Sequence, residues 1–274
     1  MPKLISVITP SFQQAKFIRR TLDSVLTRQD YPNVEHIAVD GLSKDGTLEI
    51  LKEYQSKFPD KFRYIYEKDA GQSDAINKGF KLAKGDIIGW INSDDYYEDN
   101  ILRFVVDFFE KNPDVDMIYG GCNRVDEGGN FIGTFEDGYG FKKCGIRDFK
   151  VFSYDTLMNV YSGLIPQQSV FFRKRVFDLV GYLDPSYHFT MDYEFWLRIG
   201  SKCRIVRVDR LLANFRTHGE AKTNFKNRFT FIIESMYARK VNGGRFSWRF
   251  HVYNLKVAIK TIGKLVLLKA GIIR

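Results

Sequence analysis

Two hydrophobic periods alternate along the first 120 residues. Leu4 to Thr9 is a strand-like run, followed by a segment with Ile18, Leu22, Val25 and Leu26 on one helical face. Val34 to Asp40 forms a second such run. It precedes a helix from about Thr47, with Leu48, Leu51 and Tyr54 in helical register. Phe62 to Tyr66 reads as a third strand, and a helix from about Ser73 carries Ala75, Ile76 and Phe80. The apolar run Ile87-Ile88-Gly89-Trp90-Ile91 ends at Asn92. Beyond it, Ile101, Phe104, Val105 and Phe108 recur at helical spacing, with Asp99 or Asn100 as the N-cap. Met117-Ile118-Tyr119 is the next strand. Repeated βα units of this kind predict an α/β fold with a mainly parallel sheet covered by helices.

After Gly120 the rhythm changes. Cys122 to Val125 and Phe131 to Phe135 flank Gly128-Gly129, which predicts a hairpin. Residues 136 to 165 show no period. Ser169 to Phe172 reads as a strand, and Val176 to Val180 as a short helix closed by Gly181. Charge divides the chain further. The formal net charge is +9, yet residues 225 to 274 hold eleven Lys or Arg against one acid, Glu234, so the excess lies wholly in that stretch. The predicted organisation is a main α/β unit over 1–222, split near residue 120, and a basic helical tail over 223–274. Three cysteines, odd in number and without C-x-x-C spacing, argue against a disulfide framework. With Met1-Pro2-Lys3 running straight into a strand, the expectation is a cytoplasmic protein without a signal peptide.

Chemistry concentrates where strands end. Asp94 and Asp95 close the near-continuous apolar run 87–91, the pattern of a strand buried on both faces. In open α/β sheets ligands bind in the crevice beyond such ends. Two readings stand side by side: Asp94 caps a turn while Asp95 is solvated, or the pair shares a divalent cation with a phosphorylated ligand. Further along, a helix starting near Asp192 puts Asp192, Phe195, Trp196 and Ile199 on one face, so Asp192 points inward as a base or serves only as an N-cap. Glu194 and Arg198 at i, i+4 read as a solvated surface ion pair.

Five ordered motifs change the weight of these readings. They are Val7-Ile8-Thr9-Pro10-Ser11-Phe12, Val39-Asp40-Gly41 through Thr47, Asp69-Ala70-Gly71 through Gly79, Asn92-Ser93-Asp94-Asp95, and Met191-Asp192-Tyr193-Glu194 through Arg198. Together they resemble a family 2 glycosyltransferase with the GT-A fold, over roughly residues 3 to 220. The resemblance implies an inverting, metal-dependent transfer of a sugar from a nucleotide diphosphate sugar to a saccharide or lipid-linked acceptor. It implies Asp95 as the direct ligand of Mn²⁺ or Mg²⁺, Asp94 nearer the ribose and a metal-bound water, and Asp192 as general base. Thr9, Pro10 and Ser11 correspond to the place where the nucleotide base is held. Asp40 matches the first acid of a usual pair whose second member is here Gly41, which puts direct base recognition by that pair in doubt. Asp69 and Asp74 are donor-site candidates, although Ser73 and Asp74 equally suit a helix cap. His218, with Arg216 beside it, stands where related enzymes often carry a histidine near metal or diphosphate, and a plain surface or core role is the other reading. Gln167 and Gln168 are candidates for sugar hydroxyls.

Two rivals remain: an inactive carbohydrate-binding scaffold on the same fold, and a sugar nucleotidyltransferase, whose Gly-rich basic phosphate loop is missing after the first strand. No recognised module supports a nucleic-acid partner. From Phe246, Arg249, Lys256, Lys260 and Lys264 fall on one helical side, and Leu255, Ala258, Ile262, Leu265 and Val266 mostly on the other. That basic amphipathic pattern, with Trp248 and Tyr253, predicts either peripheral attachment to an anionic membrane on its cytoplasmic face, in surface polysaccharide or glycolipid synthesis, or packing on the catalytic unit.

Overall fold

A computed structural model describes residues 3–135, 157–158, 165–219 and 228–244, and beyond them 248, 251–252, 254–256, 258–259 and 262. Nearly all of the unpatterned stretch 136–165 and half of the tail, including Arg249, Tyr253, Lys260, Lys264, Leu265 and Val266, lie outside the described residues.

The predicted alternation is present. β1 (Ile5–Ser11) leads to α1 (Ile18–Leu26), β2 (Val34–Asp40) to α2 (Thr47–Lys57), and β3 (Phe62–Tyr66) to α3 (Gln72–Leu82). β4 (Ile87–Trp90) is followed by the short β5 (Tyr96–Tyr97) and α4 (Leu102–Lys111). β6 (Met117–Val125) and β7 (Phe131–Thr134) form the expected antiparallel hairpin. A 3₁₀ turn at Gln167–Ser169 leads to β8 (Val170–Arg173), α5 (Val176–Val180), α6 (Met191–Lys202), β9 (Ile205–Arg216) and α7 (Arg228–Val241). Gly181, at φ 74, ends α5 as its position predicts.

The strands make one sheet in the order β3-β2-β1-β4-β8-β6-β9-β5, with β7 on β6. β1 pairs in parallel with β2 and β4, and β2 with β3. Beyond β4 the sheet is mixed: β8 is antiparallel to both β4 and β6, while β6 and β9 run parallel. The chain winds outward from β1 to β3 and then returns to the other side of β1. The ends of β1 and β4 therefore flank a topological switch point, where the crevice of an open α/β sheet lies. β1 is buried throughout. α3 packs close against it because Gly79 has no side chain: a Cβ there would stand 2.5 Å from Ile8 Cγ2.

Two local expectations are corrected. α4 buries Leu102, Val105, Val106 and Phe109, whereas Phe104 and Phe108 are only partly buried, the Arg210 guanidinium lying 4.7 Å over Phe104. Its cap is neither Asp99, which pairs with Arg28, nor Asn100. Instead Gln29 Oε1 accepts from the amides of Ile101 and Leu102 at 2.8 and 3.1 Å, closing the helix start from a distant segment. α7, at the start of the predicted tail, packs on α6 and buries Ser235, Ala238 and Arg239. Among the described tail residues Trp248, Leu255, Ile259 and Ile262 are exposed. No described helix is long and apolar enough to cross a membrane.

Candidate active site

The acidic loop after β4 is held from three directions. Thr21 Oγ1, on α1, lies 3.0 and 2.6 Å from the carbonyl oxygens of Ser93 and Asp95 and donates to them. The Arg216 amide, at the end of β9, donates to Asp95 Oδ1 at 2.8 Å, and its Nε donates to the Asp94 carbonyl at 2.9 Å. From the same strand end, His218 Nε2 meets Asp94 Oδ2 at 2.9 Å, with its ring packed on Phe17. Asp94, Asp95 and His218 are thus brought together across 124 residues of chain.

The two acids differ. Asp95 is almost fully buried, and burial, followed by the charge of Asp94, pushes its carboxyl well above the ordinary range. Its Oδ2 has no hydrogen-bond partner. A buried carboxylate oxygen left this way is costly unless something else meets it. Asp94 is the more reachable of the two and carries the imidazole contact. Carboxylate oxygens suit Mg²⁺ or Mn²⁺, and imidazole is a common partner for transition metals. Among the described residues no three His, Cys, Asp or Glu side chains converge as a complete metal cage. The chain would therefore contribute a few donors and leave the remaining positions to phosphate oxygens and water, as Mg²⁺ sites usually do. The residues fit a cation of this kind.

Arg216, beside His218 in the sequence, is not free to fork onto a phosphate. It is buried, donates to the carbonyls of Asp94 and Glu127, and stacks near Phe17 and Tyr96. Its role is to shape the loop.

At the nucleotide end the predicted residues separate. Thr9 is buried and its Oγ1 lies 2.8 Å from His36 Nε2, whose imidazole burial lowers to about 3, so the ring is neutral at pH 7. Pro10 is buried too, while Ser11 Oγ is left without a partner. Asp40 is fully buried, with one oxygen accepting from the Ser43 amide and the other from the Ser43 hydroxyl. Its carboxylate closes the 40–43 turn. Asp69 does approach the same floor. Its Oδ2 lies 2.6 Å from where a Cβ on Gly41 would stand, with the Phe12 ring at 3.4 Å from that point. Asp69 thus fills the space that a second acid at position 41 would take, beside a Phe12 that is 60% exposed. Asp74 accepts from the Ala70 amide, which is the main reason its carboxyl sits below the usual range, and it also pairs with Lys78. It serves the start of α3.

α3 links the acidic loop to the predicted base. Gln72 Nε2 donates to Asn92 Oδ1 at 2.9 Å, and Ser73 Oγ donates toward Tyr187 O and Met191 Sδ. Asn77 exchanges two hydrogen bonds with Leu183. These contacts tie the start of α6, and with it Asp192, to α3. Asp192 Oδ1 accepts from the Tyr193 amide at 2.8 Å, and burial pushes its carboxyl up from 3.8 to about 6. Glu194 contradicts its expected setting. It is buried and holds Arg198 by two bonds of 2.7 and 2.8 Å, while Arg198 also donates to the carbonyls of Val180 and Tyr182. The i, i+4 spacing shows the pair but not that α5 and its following loop cover it. Gln167 donates to Trp90 O and accepts from Asn92, whereas Gln168 Oε1 has no partner and remains a candidate for sugar hydroxyls.

The sequence profile described as glycosyl transferase family 2 matches residues 6–174, more than half of the chain. An uncharacterized glycosyltransferase of Rickettsia typhi is 30% identical over 225 residues, covering 81% of this chain and 66% of the relative. The chondroitin synthase of Escherichia coli is 27% identical over 240 residues, 85% of this chain and 32% of that protein. The chain spans 30% of the length of a similar Rickettsia bellii glycosyltransferase. Among solved structures, residues 1–349 of S. aureus TarS in complex with UDP-GlcNAc superpose with a TM-score of 0.66 at 19% identity, over 94% of this chain and 71% of that one. The Pyrobaculum calidifontis mannosyltransferase PcManGT, in complex with GDP-Man and Mn²⁺, gives 0.66 at 17% identity, over 99% and 80%.

Proposed function

The chain belongs to glycosyl transferase family 2 and has the GT-A fold, and from that premise we propose that it moves a sugar from a nucleotide diphosphate sugar to a hydroxyl of a saccharide or lipid-linked saccharide, inverting the anomeric carbon. The observation that carries this reading is the convergence of Asp94, Asp95 and His218 at the switch point. Asp95, whose Oδ2 has no partner, would hold Mn²⁺ or Mg²⁺ together with Asp94 and His218. When bound, such a cation supplies Lewis-acid stabilisation of the leaving diphosphate.

Asp192 acts on the acceptor. It takes the hydroxyl proton as the acceptor oxygen bonds to the anomeric carbon and the bond to the diphosphate breaks on the opposite face. A carboxyl raised to about 6 is still ionised at neutral pH and is more basic than an ordinary aspartate. Asp69, in the place left by Gly41, accepts from the edge of the nucleobase while Phe12 offers a ring to its face. Uracil and guanine are the bases to test first, since UDP-GlcNAc and GDP-Man occupy the similar structures. The basic tail and its exposed apolar residues support work at an anionic membrane face, in surface polysaccharide or glycolipid synthesis.

Calorimetry against a panel of nucleotide sugars, with Mn²⁺ or Mg²⁺, tests the donor. The companion measurement is turnover of Asp95→Asn. A loss of roughly 10²-fold or more is expected for removing an electrostatic partner of the leaving group. Full activity in excess chelator, or wild-type turnover in Asp95→Asn, would sink the metal-dependent reading.

A further inference from the structure

We infer that Glu234, on α7, is a positioning residue for Asp192. The inference rests on the reading of Asp192 as general base. One carboxylate gathers four donors immediately before α6. Oε1 accepts from the His188 amide at 3.2 Å. Oε2 accepts from the amides of Phe189 and Thr190 at 2.8 and 3.0 Å and from Thr190 Oγ1 at 3.2 Å. Thr190 is the residue from which α6 starts, and its own side chain provides no cap. A helix start leaves amides unsatisfied and carries partial positive charge, so an anion there is favoured. Here the anion comes from another helix, 44 residues further on.

Two further contacts fix α7 so that this carboxylate has a defined place. Arg239, also buried, donates from Nε to Met158 O at 2.6 Å. The Tyr187 and Tyr237 rings lie 6.1 Å apart. Glu234 is the sole acid among the eleven basic residues of 225–274, in a segment that the family profile does not reach. With Asp192 two residues into the helix, the turn clamped by Glu234 sets where the base carboxylate stands. Misplacing a reacting group by about 1 Å costs as much as 10²-fold in rate.

Charge adds a second effect. Around Asp192 the titratable groups are Asp184, Tyr187 and His188 before α6, Tyr193, Glu194 and Arg198 on it, and Glu234, Tyr237 and Arg239 on α7. Of these, Glu234 is the charge that bears on Asp192: burial raises the Asp192 carboxyl most, and the negative charge of Glu234 raises it further, by less than the Tyr193 and Asp192 amides lower it. Removing that charge lowers the pKa of the base, so the acid limb of the transfer rate moves to lower pH.

The test uses the full chain. Glu234→Gln keeps an acceptor for Phe189 and Thr190 but turns an NH₂ toward the His188 amide. Expected are a fall in kcat of about tenfold to 10²-fold, an unchanged KM for the donor, and an acid limb shifted to lower pH. Glu234→Asp keeps the charge but shortens its reach; kcat should fall with the limb in place. It also serves if the glutamine variant does not fold. Wild-type kcat in both variants overturns the inference, and so does a kcat loss in Glu234→Gln with an unmoved limb, which would make Glu234 only a support of α7. Asp192→Asn separates the two layers. If it is inactive while Glu234→Gln is normal, this inference alone fails; if it retains turnover, the base reading fails and takes the inference with it.

Discussion

Burial of Asp192 has two opposed consequences. Raising the carboxyl to about 6 means that transfer declines as pH falls through that value, because the base must be ionised. For stability the sign is reversed. The fold favours the protonated acid more than the unfolded chain does, so this contribution is present below about pH 4 and is lost as pH rises through about 6. At pH 7 the ionised group costs on the order of 3 kcal/mol. Asp192→Asn keeps an acceptor for the Tyr193 amide and removes the charge. It should abolish transfer yet be about 3 kcal/mol more stable at pH 7, with the gain vanishing near pH 4. Denaturant titrations at both pH values check this, and a pH-independent difference would refute it. Gly41 gives a second test. Gly41→Asp restores the acid pair usual in the family, but its Cβ would meet Asp69 Oδ2 at 2.6 Å. Donor affinity should fall, by about 1–3 kcal/mol of overpacking, rather than rise. Tighter donor binding in calorimetry would contradict the assignment of Asp69.

Among elements, the surroundings of the site are braced by side chains that reach from one element to another. Gln29 caps α4, Thr21 on α1 holds the acidic loop, and Glu194 with Arg198 ties α6 to the loop after α5. Gln29→Ala removes both acceptor contacts and should cost about 1 kcal/mol, the usual worth of a helix cap. Glu194→Gln, which would be nearly silent on a solvated helix face, should cost about 2 kcal/mol, because a buried charge-assisted fork is broken. Urea midpoints of the two variants measure this. A shift for Glu194→Gln no larger than that of an exposed pair would show that the covering loop does not protect it.

For the whole molecule, the second half of the sheet and the last helices decide what the enzyme faces. α7 turns Ser235, Ala238 and Arg239 inward, and Ile233, Met236, Tyr237 and Val241 outward. Exposed Trp248, Leu255, Ile259 and Ile262 continue that apolar display into a segment rich in lysine and arginine. Each basic residue near an anionic surface contributes about 1 kcal/mol, so several suffice for reversible attachment. The full chain should co-sediment with phosphatidylserine vesicles at low salt and be released at high salt, whereas a chain ended after Asn242 should bind far less. Equal binding of the two chains, or binding by neither at low salt, would show that the tail is no anchor.

What the sequence determined by itself was local. The strands at 34–40 and 62–66, the helix face of α1, the 122–135 hairpin and the Gly181 stop follow from period and turn chemistry, which depend on neighbours within a few residues. The ordered motifs likewise placed acids at strand ends. Tertiary structure alone decided which polar groups remained available. Thr9 and Asp40 are taken up by His36 and Ser43, Arg216 by backbone carbonyls, and Glu194 by a covered arginine, while Asp69 moves into the space of a missing side chain. Gln29 and Glu234 carry no signature because each completes a helix far from it in sequence. A side chain's period reports which face it lies on. Its desolvation and its hydrogen-bond partner are set by segments that arrive from elsewhere in the chain, and those two quantities decide whether a carboxylate is a ligand, a base or a brace.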